Sequence, residues 1–387
     1  MKVFIVLKRN IISMVICIFI AFLVIFSNNN LPAAKEGLII WATCIVPSLF
    51  PFFIATELLN HTNVISVFGK MLNKIMRPLF NLPGESAYAI IIGIISGCPV
   101  GSTVVCNLYD NGICTKDEAE RLLAFTNNSG PLFIIGTVGF LLFGNTSIGI
   151  LLFVTHILSA LSVGIVYGLA SRFNSDSSLK KQKNTTSTRK DTISLSNLGE
   201  ILTSSISKSL TSIFIICGFI VLTSVALSIL ERLNVISIFC NLLTYLNIPY
   251  NLSNGLFKGI IELTNGVTSI CKLNTKTISD NIVLCSFLLG FGGLSIALQV
   301  LSIISKSKLS IKKYLKGKLM QGLFAAFYTL LVEKNNLLFN LDIPGSHSAI
   351  SQNNYILWII LFLLSILIFS VFPTKQKHIH KIKTSSI

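Results

Sequence analysis

Charged residues are scarce in this 387-residue sequence. They make up 12% of the chain, about half of the roughly 25% found in soluble domains. Hydrophobic residues make up 52%, and the mean hydropathy is +0.76. These values exclude a disordered chain and a soluble globular domain. The apolar residues occur in runs long enough to cross a bilayer core of about 30 Å. The composition therefore predicts an all-α polytopic membrane protein.

Catalytic and metal-binding motifs are also lacking. The sequence contains no G-x-S-x-G, no H-E-x-x-H and no Walker loop, so we expect no enzyme and no catalytic residues. Its nine cysteines form no C-x-x-C pair, and most lie inside apolar runs. This placement favours small buried hydrophobes over disulfides or metal ligands. We expect neither a metal site nor a cofactor.

Ten apolar runs are present, and two of them are interrupted by small or polar residues. Eight of the runs cover residues 11–27, 38–59, 119–144, 147–171, 209–230, 280–304, 318–333 and 355–372. The interrupted runs are 86–109 and 254–271, whose halves are too short to cross alone. Irregular backbone at membrane depth must be buried in protein or line a wet cavity. We therefore predict about eight transmembrane helices and two re-entrant helical hairpins. The first run also resembles a signal peptide, but it lacks a small-x-small cleavage site, which favours an uncleaved span.

The positive charges indicate the orientation. With both termini in the cytoplasm, 25 of the 31 Lys and Arg residues fall in cytoplasmic segments, as the positive-inside rule requires. Lys306 to Lys318 contribute six of these 25. The net charge of +16 is therefore a topology signal, and no nucleic-acid partner is expected.

The two halves of the chain have matching order. Pro83 and Pro249 each precede an interrupted run, and a glycine follows each proline after ten residues. An amphipathic stretch, 64–80 or 235–247, comes before each hairpin, and a span with a polar or glycine-rich break follows it. Each half contains an odd number of crossings, so the second copy must be inverted. The predicted units are an anchor (1–37), a first repeat (38–172), a cytoplasmic linker (173–199), an inverted second repeat (200–333), and a final span with a basic tail (334–387).

Inverted repeats with discontinuous helices at matched positions are typical of secondary transporters, whose sites lie near the membrane midplane. Broken helices present free N–H and C=O groups, which can hold a substrate or an ion. The candidate substrate-binding residues therefore come from the hairpins and the breaks. They are Gly97, Cys98, Pro99, Gly101, Ser102, Asn127, Asn128, Ser129, Gly130, Glu262, Thr264, Asn265, Gly266, Gly292, Ser295 and Gln299.

Each prominent polar residue also has a purely structural interpretation. The asparagines could simply join helices by hydrogen bonds. Glu262 could carry a coupling proton or bind a cation, or it could pair with Lys258 four residues earlier. A packed His156 is favoured over a proton relay. Thr115 and Glu118 fit a capping box at the start of the first broken span.

Three segments carry a family resemblance. They are Pro83–Ser102, Asp117–Phe133 with its Thr-Asn-Asn-Ser-Gly-Pro block, and Ser286–Ser295. In these segments the chain resembles the YlbJ (SpoVV) family of sporulation integral membrane proteins, within the nucleoside-recognition Gate group. The resemblance covers about residues 38–333. It implies a fold similar to concentrative nucleoside transporters, and a role in moving dipicolinic acid from the mother cell across the outer forespore membrane.

We therefore expect a sporulation-associated secondary transporter of a small organic anion, most specifically dipicolinate, with H⁺ or Na⁺ as candidate coupling ions. Membrane lipid is the expected surrounding, and self-association stays open. One alternative is a transporter of nucleosides or another solute with the same fold. Stacking aromatics and a carboxylate in both hairpins would favour that alternative, and only Glu262 is present. Another is a non-transporting membrane scaffold for spore assembly.

Overall fold

The computed structural model describes residues 2–62, 64–173, 197–245, 248–273 and 278–335. All regular secondary structure within these ranges is helical. The predicted span at 355–372, the basic tail and most of the linker lie outside the described residues. The unit boundaries stay predictions.

The described part of the first half contains eight α-helices and two π-helical stretches. They are α1 (Lys2–Ile25), α2 (Ser27–Ile40), π1 (Trp41–Ile45), α3 (Val46–Asn60), α4 (Val64–Phe80), α5 (Ser86–Ser96), α6 (Val100–Asp110), α7 (Lys116–Thr126), π2 (Leu132–Leu142) and α8 (Thr146–Phe173). The second half follows with α9 (Leu198–Arg232), α10 (Val235–Thr244), α11 (Tyr250–Ile261), α12 (Leu263–Cys271), α13 (Ile278–Phe291), α14 (Gly293–Lys306) and α15 (Lys312–Asn335).

Two pairs of short helices occupy the interrupted runs. The first, α5 and α6, is joined by Gly97, Cys98 and Pro99, and the second, α11 and α12, is joined by Glu262 alone. In the second pair, Gly266 packs against Gly259 and Gly255 faces Ile270, so the two helices run antiparallel. The predicted interruptions are therefore present. Their re-entrant course through a bilayer stays a prediction.

Four described helical segments are long and apolar enough to cross a membrane. They are Ser27–Leu59, Thr146–Phe173, Leu198–Arg232 and Asp280–Lys306. The predicted run 119–144 is not one continuous helix, because α7 ends at Thr126 and π2 begins at Leu132. The count of eight spans stays a prediction.

The start of α7 is fixed by the predicted capping box. The Thr115 side chain accepts a hydrogen bond from the Glu118 backbone N–H, and the Glu118 carboxylate accepts one from the Thr115 N–H at 2.8 Å. One turn later, Arg121 binds Asp117 at 2.9 Å and donates to the carbonyl of Phe80 at 3.2 Å. These contacts satisfy the first N–H groups of α7 and join it to the end of α4.

The amphipathic helix α4 leaves an apolar face uncovered. Val67, Met71, Ile75 and Leu79 recur every four residues and are all exposed. This spacing places them on one helix face. If α4 lies along the membrane interface, as the sequence predicts, this exposed apolar stripe would face the lipid.

Candidate functional site

A cavity lies where the two helix pairs and the two broken spans approach each other. Its polar part is lined by Ser48, Cys98, Ser129, Gly130, Glu262, Thr264 and Gln299, of which sequence reasoning missed Ser48 of α3. The apolar part of its wall includes Ile45 and Leu49 from the π1–α3 region, Ile216 and Ile220 from α9, and Phe133 and Ile296 from the helices after the breaks. The cavity thus combines polar groups, most of them at or near the helix discontinuities, with an apolar wall to which π1, α3 and α9 contribute.

Four helical segments begin at this cavity. Cys98 lies just before α6, and Phe133, Thr264 and Ile296 lie in the first turns of π2, α12 and α14. The first N–H groups of a helix have no partner within the helix, and its dipole makes this end positive. Converging helix starts therefore favour a negatively charged ligand.

The first break, residues 127–131 between α7 and π2, is held by side-chain hydrogen bonds. Ser102 donates to the Asn127 side-chain oxygen at 3.1 Å, and the Asn127 amide donates to the Tyr314 hydroxyl at 3.3 Å. The Asn128 amide donates to the Phe125 carbonyl at 2.9 Å and accepts from Gln321 at 2.8 Å. Neither asparagine is part of the cavity lining. The structure places both side chains in a network behind the wall, while the adjacent Ser129 and Gly130 reach the cavity.

Hairpin one (α5 and α6) packs against the first break through its glycines, and hairpin two consists of α11 and α12. A Cβ atom at Gly93 or at Gly101 would overlap the Thr126 carbonyl oxygen, and one at Gly97 would lie 2.9 Å from the Gly130 nitrogen. Gly97 has a φ of +80°, a conformation that L side chains rarely adopt. The backbones of the hairpin and the break therefore touch directly.

The second break is made of glycine alone. Gly292 and Gly293 have φ values of +83° and +76°. A Cβ atom at Gly293 would lie 2.9 Å from the Gly259 carbonyl oxygen of hairpin two. Among the described residues, the buried Ser295 hydroxyl that follows has no hydrogen-bond partner. Both breaks therefore contact the hairpin of their own half.

Glu262 closes hairpin two and faces the cavity. Its side chain is 3% exposed, and its carboxylate accepts a hydrogen bond from the Asn265 backbone N–H at 2.7 Å, capping α12. Lys258 instead binds Glu231 at 2.7 Å. The alternative pairing of Glu262 with Lys258 is therefore wrong. Because residue 262 has an extended backbone, it ends the α11 helix, and the spacing of four residues no longer brings the two side chains together.

His156 lies behind the first break and is 1% exposed. Its Nε2 accepts a hydrogen bond from the Ser129 backbone N–H at 3.2 Å. Its Nδ1 has no partner among the described residues. The packed histidine of the sequence interpretation thus supports a backbone group of the cavity wall.

The candidate residues divide into two layers. Those lining the cavity are Cys98, Ser129, Gly130, Glu262, Thr264 and Gln299. Those outside its lining are Gly97, Pro99, Gly101, Ser102, Asn127, Asn128, Asn265, Gly266, Gly292 and Ser295. Their roles in binding stay predictions. Within the described ranges, no three His, Cys, Asp or Glu side chains form a group that could hold a metal ion.

Sequence reasoning missed the contribution of α15. It assigned Lys318 to a cytoplasmic segment, yet the structure buries this lysine to 2% exposure. Tyr314, Lys318 and Gln321 share one helix face, and two of them contact the first break. The signal was a polar stripe, spaced four and three residues apart, in the first half of α15.

Comparison with known proteins agrees with this architecture. A family model described as Gate, nucleoside recognition, matches residues 42–198, which contain hairpin one and the first break. The sporulation integral membrane protein YlbJ of Bacillus subtilis (strain 168) is 33% identical over 315 residues, covering 78% of this chain and 77% of that protein. The chain belongs to the YlbJ family. It is an integral membrane protein of a sporulation family, and no solved structure matches it.

Proposed function

We propose that this YlbJ-family protein is a sporulation-associated secondary transporter of a small organic anion, most specifically dipicolinate, in the outer forespore membrane. The observation that carries the proposal is the cavity at which four helices begin. A small planar dianion has two carboxylates, which suit helix N-termini on opposite sides of such a cavity.

The cavity lining supports a distribution of roles. Ser129 and Thr264 offer a hydroxyl each from the two halves, and Gln299 offers an amide. Glu262 is the candidate carrier of a coupling proton, because a carboxylate that shares the cavity with an anion is favourable only when protonated. Alternating access would then come from movement of the helices around this cavity.

The test is uptake of labelled dipicolinate by vesicles containing the purified protein, under imposed H⁺ or Na⁺ gradients. We expect Thr264→Val to reduce uptake by about tenfold, because a hydrogen bond to a charged group contributes about 1.5–3 kcal/mol. The matched control is Thr211→Val on the exposed side of α9, which should leave uptake unchanged. Equal uptake by both variants would contradict the assigned site.

The nucleoside alternative is tested in the same vesicles. Phe133 is the one aromatic residue of the described cavity lining, which gives little stacking surface for a base. Uptake of uridine without dipicolinate would replace the substrate and keep the transporter. No uptake of either solute under any gradient would favour the scaffold function.

A further inference from the structure

Lys318 is a buried cation without a carboxylate partner. Its side chain donates a 2.7 Å hydrogen bond to the Gln321 side-chain oxygen and, among the described residues, forms no ion pair. By contrast, Lys313 at the start of α15 forms ion pairs with Asp117 and Glu120. Burying an uncompensated charge costs several kcal/mol, so an ionised Lys318 requires a negative partner from elsewhere.

The position of Lys318 connects the two breaks. Gln321, which accepts its hydrogen bond, donates in turn to Asn128 of the first break. On the other side, a Cβ atom at Gly292 of the second break would lie 3.9 Å from the Lys318 Cε atom. The ammonium group is thus held between the two discontinuities of the inverted repeat.

Only one layer of residues separates this charge from the cavity. A Cβ atom at Gly292 would also lie 3.8 Å from the Ile296 Cδ1 atom, and Ile296 lines the cavity. The cavity-lining Cys98 thiol donates to the Asn128 carbonyl oxygen at 2.9 Å. Charges act strongly over such distances in a protein interior, because there is little water to screen them.

We propose that Lys318 is the charge that makes the cavity select anionic over neutral solutes, with a bound carboxylate as its missing partner. This inference rests on the proposed function, and it names the class of ligand by charge. Lys318 acts as a positioning charge behind the wall rather than as a contact of the substrate. The competing explanation is that Glu262, on the wall of the same cavity, already balances Lys318 across it.

The experiment measures binding of three probes to the purified protein. The probes are dipicolinate (two carboxylates), picolinate (one carboxylate) and the neutral 2,6-pyridinedimethanol. The proteins are wild type, Lys318→Gln, Glu262→Gln and the double variant. Lys312→Gln is the matched control, since it removes one exposed charge from the same helix. Thermal stability and size-exclusion profiles check that each variant is folded.

We expect Lys318→Gln to weaken dipicolinate binding by at least about tenfold and picolinate binding by less, because the charge acts on each carboxylate. Binding of the neutral diol should be unchanged, and Glu262→Gln should not restore dipicolinate binding to the double variant. An equal loss for all three probes, or recovery in the double variant, would overturn the proposal.

Two further outcomes separate this inference from the proposed function. If picolinate binds and dipicolinate does not, and picolinate binding falls in Lys318→Gln, the charge selection stands and the substrate assignment fails. If Lys318→Gln does not fold, binding to the wild type and to Lys318→Arg tests the inference instead. A wild-type protein that binds the neutral diol as tightly as dipicolinate or picolinate overturns the inference. Lys318→Arg retains the positive charge and should keep the preference for anions.

Discussion

The two breaks, at residues 127–131 and 292–293, are stabilised by different chemistry. In the first, the Asn128 side chain binds the Phe125 carbonyl, which the interrupted helix leaves free, and it accepts a hydrogen bond from Gln321 of α15. In the second, two glycines with positive φ turn the chain. When residues 125–132 are aligned with 287–294, so that Phe125 and Gly130 fall on Phe287 and Gly292, Asn128 matches Gly290. Gly290 packs against Gly322, the neighbour of Gln321. Both breaks therefore rest on adjacent residues of α15, one through a side chain and the other through the backbone.

This difference separates two kinds of constraint. A side-chain network can be weakened one hydrogen bond at a time, because each bond has its own donor and acceptor. A glycine packed against backbone tolerates no larger residue, since any Cβ atom forces the two backbone segments apart. The side-chain network of the first break should thus respond to substitutions by degrees, and the glycines packed against backbone should respond abruptly.

The largest effects should come from the glycines of the hairpins. A Cβ atom would overlap the Thr126 carbonyl in Gly93→Ala and the Gly259 backbone in Gly266→Ala. We expect each variant to lose about 3 kcal/mol of stability, the upper end for overpacking. Thermal unfolding in detergent measures this. Gly218→Ala in α9 meets no atom and should not destabilise. A similar melting temperature for all three would refute direct backbone packing.

The network of the first break should give the next largest effect. Asn128→Ala leaves the buried Phe125 carbonyl and Gln321 amide without partners, at a cost of about 2 kcal/mol. Gln321→Ala should cost a similar amount. The double variant should cost less than their sum, because the two side chains share a bond. Strict additivity in the unfolding measurements would mean that the two residues do not interact.

The second break should show the cost of backbone strain alone. Gly292 has a φ of +83°, and its nearest neighbours lie at ordinary contact distances. We expect Gly292→Ala to lose about 1.5 kcal/mol, since an L side chain in this conformation costs about 1–2 kcal/mol. Gly292→Asn should lose less, because asparagine tolerates the left-handed region better. Unfolding of both variants tests the order, and a less stable Asn variant would contradict it.

The smallest effect should distinguish the two hairpins. Glu262 caps α12 with its side chain, whereas Pro99 before α6 provides no side-chain cap. Glu262→Ala should cost about 1 kcal/mol, a typical value for a lost cap. Glu262→Gln keeps an oxygen acceptor and should be nearly as stable as the wild type. If Glu262→Gln unfolds as early as Glu262→Ala, the carboxylate charge rather than the cap stabilises the turn.

The discontinuities were predictable from the sequence because their causes are local. Proline and glycine within an apolar run interrupt helices wherever they occur, and the capping box at Thr115 needs only four residues. The helix pairs and the start of α7 follow from such signals. Glu262 and Ser129, one from each half of the chain, line the same cavity, whereas the symmetry of the halves stays a prediction.

The support of the breaks was not predictable, because it comes from residues far along the chain. Tyr314 and Gln321 bind Asn127 and Asn128 across more than 180 residues. Lys318 was assigned to a basic cytoplasmic segment because the positive-inside rule counts charges and does not see which face of a helix they occupy. The sequence alone does not distinguish a lysine beside a loop from a lysine buried in a helix bundle.

The apolar wall of the cavity has a mechanical consequence. Ile45, Leu49, Ile216 and Ile220 belong to a hydrophobic cluster formed between the π1–α3 region and α9. Apolar contacts have no donor and acceptor to realign, so they are exchanged more readily than hydrogen bonds. The same two segments are also joined by a hydrogen bond from the Trp41 indole N–H to the Ile213 carbonyl at 3.0 Å and by the ion pair of Lys208 with Glu57 at 3.7 Å. We therefore expect any opening of the cavity to occur between the π1–α3 region and α9, and to break these two polar contacts.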